Sequence, residues 1–179
     1  MVGCSKGKED PAPQKVSLGD RMEGGYVFYI DSTGKHGLIV AEKDLPQRLM
    51  WQSCPANIAG TSMEVGTGKA NTEIIVTAIK RGSCANTELA AALACDDLVI
   101  EGHSDWFLPS WKEMATLRQF LFDYRDKTQA YILSMDFYWT STQVDASRAY
   151  FYPGSNASAF GIYDRDKTDY WAVRPMRAF

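Results

Sequence analysis

The first strong pattern along the chain is a pair of β-branched and aromatic runs, Gly25-Tyr-Val-Phe-Tyr-Ile30 and Gly37-Leu-Ile-Val-Ala41. The polar, Gly-bearing stretch 31–36 between them suits a tight connection, so together they predict a β-hairpin. A loop-rich stretch then runs from Asp44 towards Lys69. Beyond it Ile74, Ile75, Ala78 and Ile79 recur at helical spacing, with Asn71 placed to cap the start and Gly82 to stop the end. Leu and Ala dominate from Thr87 to Cys95, which predicts a second, largely buried helix running on towards Leu98 before Gly102 breaks it. The clearest helix signal is Ser110 with Glu113 three residues on, a capping box ahead of the Met114, Leu117, Leu121 stripe. It predicts a helix over 110–123.

After Ala130 the texture changes to short runs at 137–142, 148–152, 159–163 and 170–173, divided by polar, Gly or Pro breaks, and these predict antiparallel strands. Strands, then helices, then strands again describe an α+β domain rather than a repeating βαβ layout. A length of 179 residues with 45% hydrophobic content is enough for one domain with a proper core. Its expected extent is 18–179, because residues 1–17 are polar, carry prolines and lack an apolar period, and so read as a flexible tether.

Net charge is −3 with a pI near 5.4, which argues against a protein built to hold nucleic acid. No run of about 18 apolar residues offers a membrane-crossing helix. Membrane association is therefore expected only through Cys4, which follows a small residue and precedes a hydrophilic linker, as at the end of a bacterial lipoprotein signal. Cys54, Cys84 and Cys95 remain, an odd count in which one disulfide fits and no pairing is implied.

Candidate chemistry is sparse. His103, Ser104 and Asp105 are immediate neighbours, whereas a catalytic triad needs groups converging from separate segments. The loop reading is preferred, with Asp105 bracing the entry into Trp106. Gly66-Thr-Gly68-Lys69 lacks the spacing and the hydroxyl of a phosphate loop, since Ala70 follows Lys69, so it reads as a turn feeding the helix at Asn71. Asp164, Asp166 and Asp169 alternate with Arg165 and Lys167, and read as a charged, solvated loop rather than a calcium site. No catalytic residue, metal or cofactor is predicted.

Five segments in order carry a resemblance: Gly66-Thr-Gly-Lys-Ala-Asn-Thr72; Ala90, Ala91 and Cys95; Ser104-Asp-Trp-Phe-Leu-Pro-Ser110 with Glu113; Tyr138-Trp-Thr-Ser-Thr142; and Val173-Arg-Pro-Met-Arg-Ala-Phe179. Over about residues 19 to 179 the chain resembles the domain family named after the C-terminal part of Legionella collagen-like protein. Such domains are similar to C-type lectins in fold, and the name-giving member resembles an adhesin that binds sulfated glycosaminoglycans. The resemblance implies a non-enzymatic, extracellular or cell-surface binding module with a protein or glycan ligand. The ending also looks like that of the variable proteins of diversity-generating retroelements, in which adenine-directed mutagenesis rewrites surface codons. The ligand-binding residues expected on that basis are Asp145, Ser147, Arg148, Tyr150, Tyr152, Ser155, Asn156, Ser158, Tyr163, Asp164 and Arg165. Calcium-dependent lectin motifs are missing, and no cysteine follows Cys95 to support likeness to formylglycine-generating enzymes. Two alternatives stand beside the leading reading. One is a glycosaminoglycan-binding adhesin, which needs Arg165, Lys167, Arg174 and Arg177 clustered on one face. The other is a structural or tail component of a virion or envelope.

Overall fold

A computed structural model describes residues 15–82, 84, 89–124, 133–134, 136–154 and 161–179. The predicted hairpin forms β2 (Gly25–Ile30) and β3 (Gly37–Ala41), antiparallel, with the short β1 (Arg21–Met22) on the outer edge of β2. The last strand, β7 (Met176–Ala178), lies antiparallel against β3 and completes a sheet of order β1-β2-β3-β7. Both faces of this sheet are covered, which is why its strands read as near-continuous apolar runs. Val27, Ile39 and Ala41 pack against Trp106 on one side, and Phe28, Leu38 and Val40 against the helix of residues 111–123 on the other.

The second sheet is β4 (Phe137–Gln143), β5 (Arg148–Pro153) and β6 (Tyr163–Asp166), antiparallel in that order. Three helices complete the α+β fold: α1 (Gly68–Lys80), α2 (Ala91–Asp96) and α3 (Trp111–Asp123). Ile75, Val76 and Ile79 of α1 bury against Ala91, Ala92 and Cys95 of α2, where small side chains let the helices approach closely. The part of the second predicted helix that involves Thr87 lies outside the described residues, and the helix ends at Asp96 rather than near Leu98.

The start of α1 differs from the sequence expectation. Asn71 does not cap it, because Asn71 is buried within the first turn. Its amide donates to the Ser62 carbonyl and the Ser141 hydroxyl, and its oxygen accepts from the Ser62 N–H. Glu113 takes the capping role from across the core. Its Oε1 accepts from the N–H groups of Gly66 (2.8 Å) and Gly68 (3.2 Å), and its Oε2 accepts from the Ser110 N–H (2.7 Å). The predicted capping box of α3 is present as well, so one carboxylate serves the N-termini of two helices. Gly68 is needed there: a Cβ at that position would lie 2.2 Å from Glu113 Oε2 and 2.8 Å from the Phe107 ring. Burial pushes the Glu113 carboxyl above its ordinary range against the opposing pull of these donors.

Cys54 and Cys84 form a disulfide, and Cys95 is free and buried, its thiol pushed up by desolvation. The bridge closes a segment with a sequence separation of 30 residues. On the chain-entropy model, replacing both cysteines by Ser is expected to cost roughly 2–4 kcal/mol. Urea unfolding of the C54S/C84S variant beside the native protein checks this. A midpoint that does not move would show that the unfolded chain is already restricted in this region.

Candidate functional site

The outer part of the β4-β5-β6 sheet positions the C-terminal residues singled out above. Two indoles anchor its inner edge: Trp139 Nε1 donates to the Leu49 carbonyl (2.9 Å), and Trp51 Nε1 donates to the Thr140 carbonyl (2.8 Å). Both rings are fully buried, so the strand positions beyond them are presented on a rigid base.

Cross-strand pairing decides which side chains meet. Tyr150 stands opposite Asp164, and Phe151 opposite Tyr163, so successive residues of β5 fall on opposite faces. Arg148, Tyr150 and Asp164 share one face. Tyr163 and Arg165 share the other, with Phe151 beneath them. The expected recognition residues are therefore divided between two surfaces.

On the first face a polar network is built around the turn at 144–147. Asp145 Oδ1 accepts from the backbone N–H groups of Ser147 and Arg148, the local turn that aspartate favours. Its Oδ2 accepts from Arg148 Nε (3.0 Å) and Arg148 Nη2 (2.9 Å). The same guanidinium donates through Nη1 to Asp164 Oδ1 (3.0 Å). The Ser147 N–H and then Arg148 hold the Asp145 carboxyl below the usual carboxylate range. These groups are largely exposed, so the network adds little stability; its effect is to hold a planar cation in one orientation beside Tyr150.

On the second face Phe137, Phe151, Tyr163 and Trp171 form an aromatic group. Ring centroids lie 5.0 Å apart for Phe137 and Phe151, 5.1 Å for Phe137 and Trp171, and 5.8 Å for Phe151 and Tyr163. The exposed Arg165 guanidinium lies 5.3 Å over the Phe151 ring. Phe137 and Trp171 are half-buried and pack against the core, so they belong to the framework beneath this face.

The structure overturns two sequence expectations. Tyr152 is not a surface residue: it is 6% exposed, packs 5.5 Å from the Trp111 ring and belongs to the core beneath α3. Lys167 is not part of a solvated loop. It is buried, with Nζ 4.4 Å from the Trp51 ring centre, and donates to the Ala56 carbonyl (2.8 Å) and Gln143 Oε1 (2.7 Å). Desolvation brings its ammonium down to about 8, with Asp145 opposing. The stretch before it, Tyr163–Asp166, is strand β6 rather than loop. Ser155, Asn156, Ser158 and Cys4 lie outside the described residues.

The basic cluster required of a glycosaminoglycan site is not assembled among the described residues. Lys167 is buried as above. Arg174 is 4% exposed and donates to Asp44 Oδ1 (2.5 Å), and Arg177 is paired with both Glu23 and Asp105. Only Arg165 of the four is exposed. Asp105 pairs with Arg177 of the C-terminal strand rather than bracing the entry into Trp106, whose Nε1 donates to the His103 carbonyl. Among the described residues, no three His, Cys, Asp or Glu side chains come together in a way that could hold a metal ion. No helix among them is long and apolar enough to cross a membrane.

The family model described as the Lcl C-terminal domain matches residues 41–177. No curated protein matches the chain. Among solved structures the chain is similar to a fimbrial protein from Bacteroides ovatus ATCC 8483, with 13% sequence identity and a TM-score of 0.55 over 85% of this chain and 43% of that one. That likeness is one of fold, and this chain spans less than half the length of the fimbrial protein.

Proposed function

The chain belongs to the Lcl C-terminal domain family, and from that premise we propose that it is a non-enzymatic, surface-displayed ligand-binding module of C-type-lectin-like build. Its recognition surface is the turn at 144–147 with the adjoining face of β5 and β6. The observation that carries this reading is the Asp145, Arg148, Asp164 network beside Tyr150, a cation and an aromatic ring held ready on a strand scaffold. Holding such groups in place before contact lowers the entropic cost of binding, and Tyr and Arg are the side chains that most often anchor interfaces. The disulfide supports an oxidising compartment, outside the reducing cytosol. The fold shared with a fimbrial protein is in keeping with surface display. The finer proposal is that adenine-directed diversification acts on Asp145, Ser147, Arg148, Tyr150, Asp164 and Arg165, with lipidation at Cys4 as the tether. Support for it rests on the C-terminal motifs and on the exposed or half-buried position of those six side chains.

The test is binding of the purified protein to immobilised glycans and glycosaminoglycans at low and physiological salt, beside an R148A/Y150A variant. Loss of two anchor side chains is expected to weaken binding at least about tenfold, with salt affecting it little and the urea midpoint almost unchanged. Steep salt dependence with full retention by the variant would replace this reading with the glycosaminoglycan one.

A further inference from the structure

We infer that Lys167 is a positioning residue, which holds the recognition turn at 144–147 in register against the loop that begins at the disulfide. The inference rests on the reading of that turn as the binding surface. Lys167 joins three segments at once. Its backbone N–H donates to the Ser147 carbonyl (2.8 Å), and its carbonyl accepts from the N–H groups of Trp51 (2.9 Å) and Gln52 (3.1 Å). Its ammonium reaches in the other direction, to the Ala56 carbonyl and to Gln143 Oε1.

Ala56 and Gln143 are themselves tied to the turn and to its neighbour. The Ala56 N–H donates to the Ala146 carbonyl (2.9 Å). Gln143, the last residue of β4 before the turn, accepts through Oε1 from the Ile58 N–H (2.8 Å) and donates through Nε2 to Asn57 Oδ1 (2.5 Å). The turn is thus gripped at Ala146 and Ser147 by two backbone bonds, one from Ala56, whose carbonyl the ammonium holds, and one from Lys167 itself. Asp145, on the turn itself, favours the charged form of this ammonium against its burial. A buried ammonium is costly unless its donors are used and its charge is met. Here two acceptors and the face of Trp51 meet it, and an apolar side chain of the same length would fill the space without linking the segments.

Backbone hydrogen exchange on the native protein, Lys167→Met and Gln143→Ala tests the inference without any ligand. The Met variant keeps most of the stem volume and removes both charge-assisted bonds. The amides at 56 and 167 are expected to lose protection by about tenfold or more, while the mutually bonded amides of Phe107 and Met176 keep theirs. Gln143→Ala, at a half-buried position, is expected to reproduce a smaller loss at the same two amides and decides the matter if the Met variant does not fold. Unchanged protection at 56 and 167, or an equal loss at all four amides in both variants, would overturn the role. Glycan binding measured on the same variants separates the two readings. Selective loosening supports the positioning role whatever binding does, and unchanged binding on top of it counts against the turn as recognition surface.

Discussion

Replacing Glu113 by Ala is expected to lower the folding free energy by roughly 3–5 kcal/mol, because two buried N–H groups and one part-buried N–H lose their acceptor together. Orphaned buried donors cost about 1–3 kcal/mol each, and an Ala side chain offers these N–H groups no acceptor. The loss falls on two helices, since the Gly66 and Gly68 amides belong to the start of α1 and the Ser110 amide to the start of α3. Urea unfolding followed by far-ultraviolet circular dichroism is the measurement. Glu113→Gln should cost less, because an amide oxygen can still accept from part of the set. A loss below about 1 kcal/mol for the Ala variant would mean that solvent reaches these amides, and the shared cap would then be a weak feature of the fold.

Tyr152→Ala is expected to be nearly as damaging, at roughly 3–5 kcal/mol, the range for truncating a large aromatic residue in a core. The ring lies against Trp111, stands across from Tyr138, and is clustered with Met114, Leu117 and Phe120 of α3. Tyr150→Ala, two residues earlier on the same face of β5, is expected to cost less than about 1 kcal/mol, because its ring is half-buried beyond the reach of that cluster. Thermal or urea unfolding of the two variants side by side reads the contrast. Equal costs would mean that the inner and outer parts of this face are not energetically distinct, and would remove the basis for assigning Tyr150 to recognition.

That contrast shows why part of the candidate site could be read and part could not. Period-2 alternation correctly places Tyr150 and Tyr152 on one face, but burial varies along a strand as well as across it. The same face passes from rim to core within two residues because α3 covers only the inner end, and α3 is brought there by contacts remote in sequence. The charged stretch around Asp164 misled for a related reason. Alternating Asp, Arg and Lys looks solvated unless something covers it, and what covers Lys167 is Trp51, from the far side of the chain.

Local patterns by themselves determined the hairpin of residues 25–41, the capped helix after Ser110, the α+β class and the five-part family signature. Each depends on short-range periodicity, capping chemistry or residue order, which the chain carries wherever it folds. Tertiary structure alone decided the pairing of Cys54 with Cys84, the antiparallel docking of Met176–Ala178 on β3, the double use of Glu113, and the division of the candidate recognition residues between two faces. These follow from which distant segments meet. A cysteine, a carboxylate or a lysine has the same local signature whatever partner folding brings to it, and the free energy of a buried polar group is set by that partner.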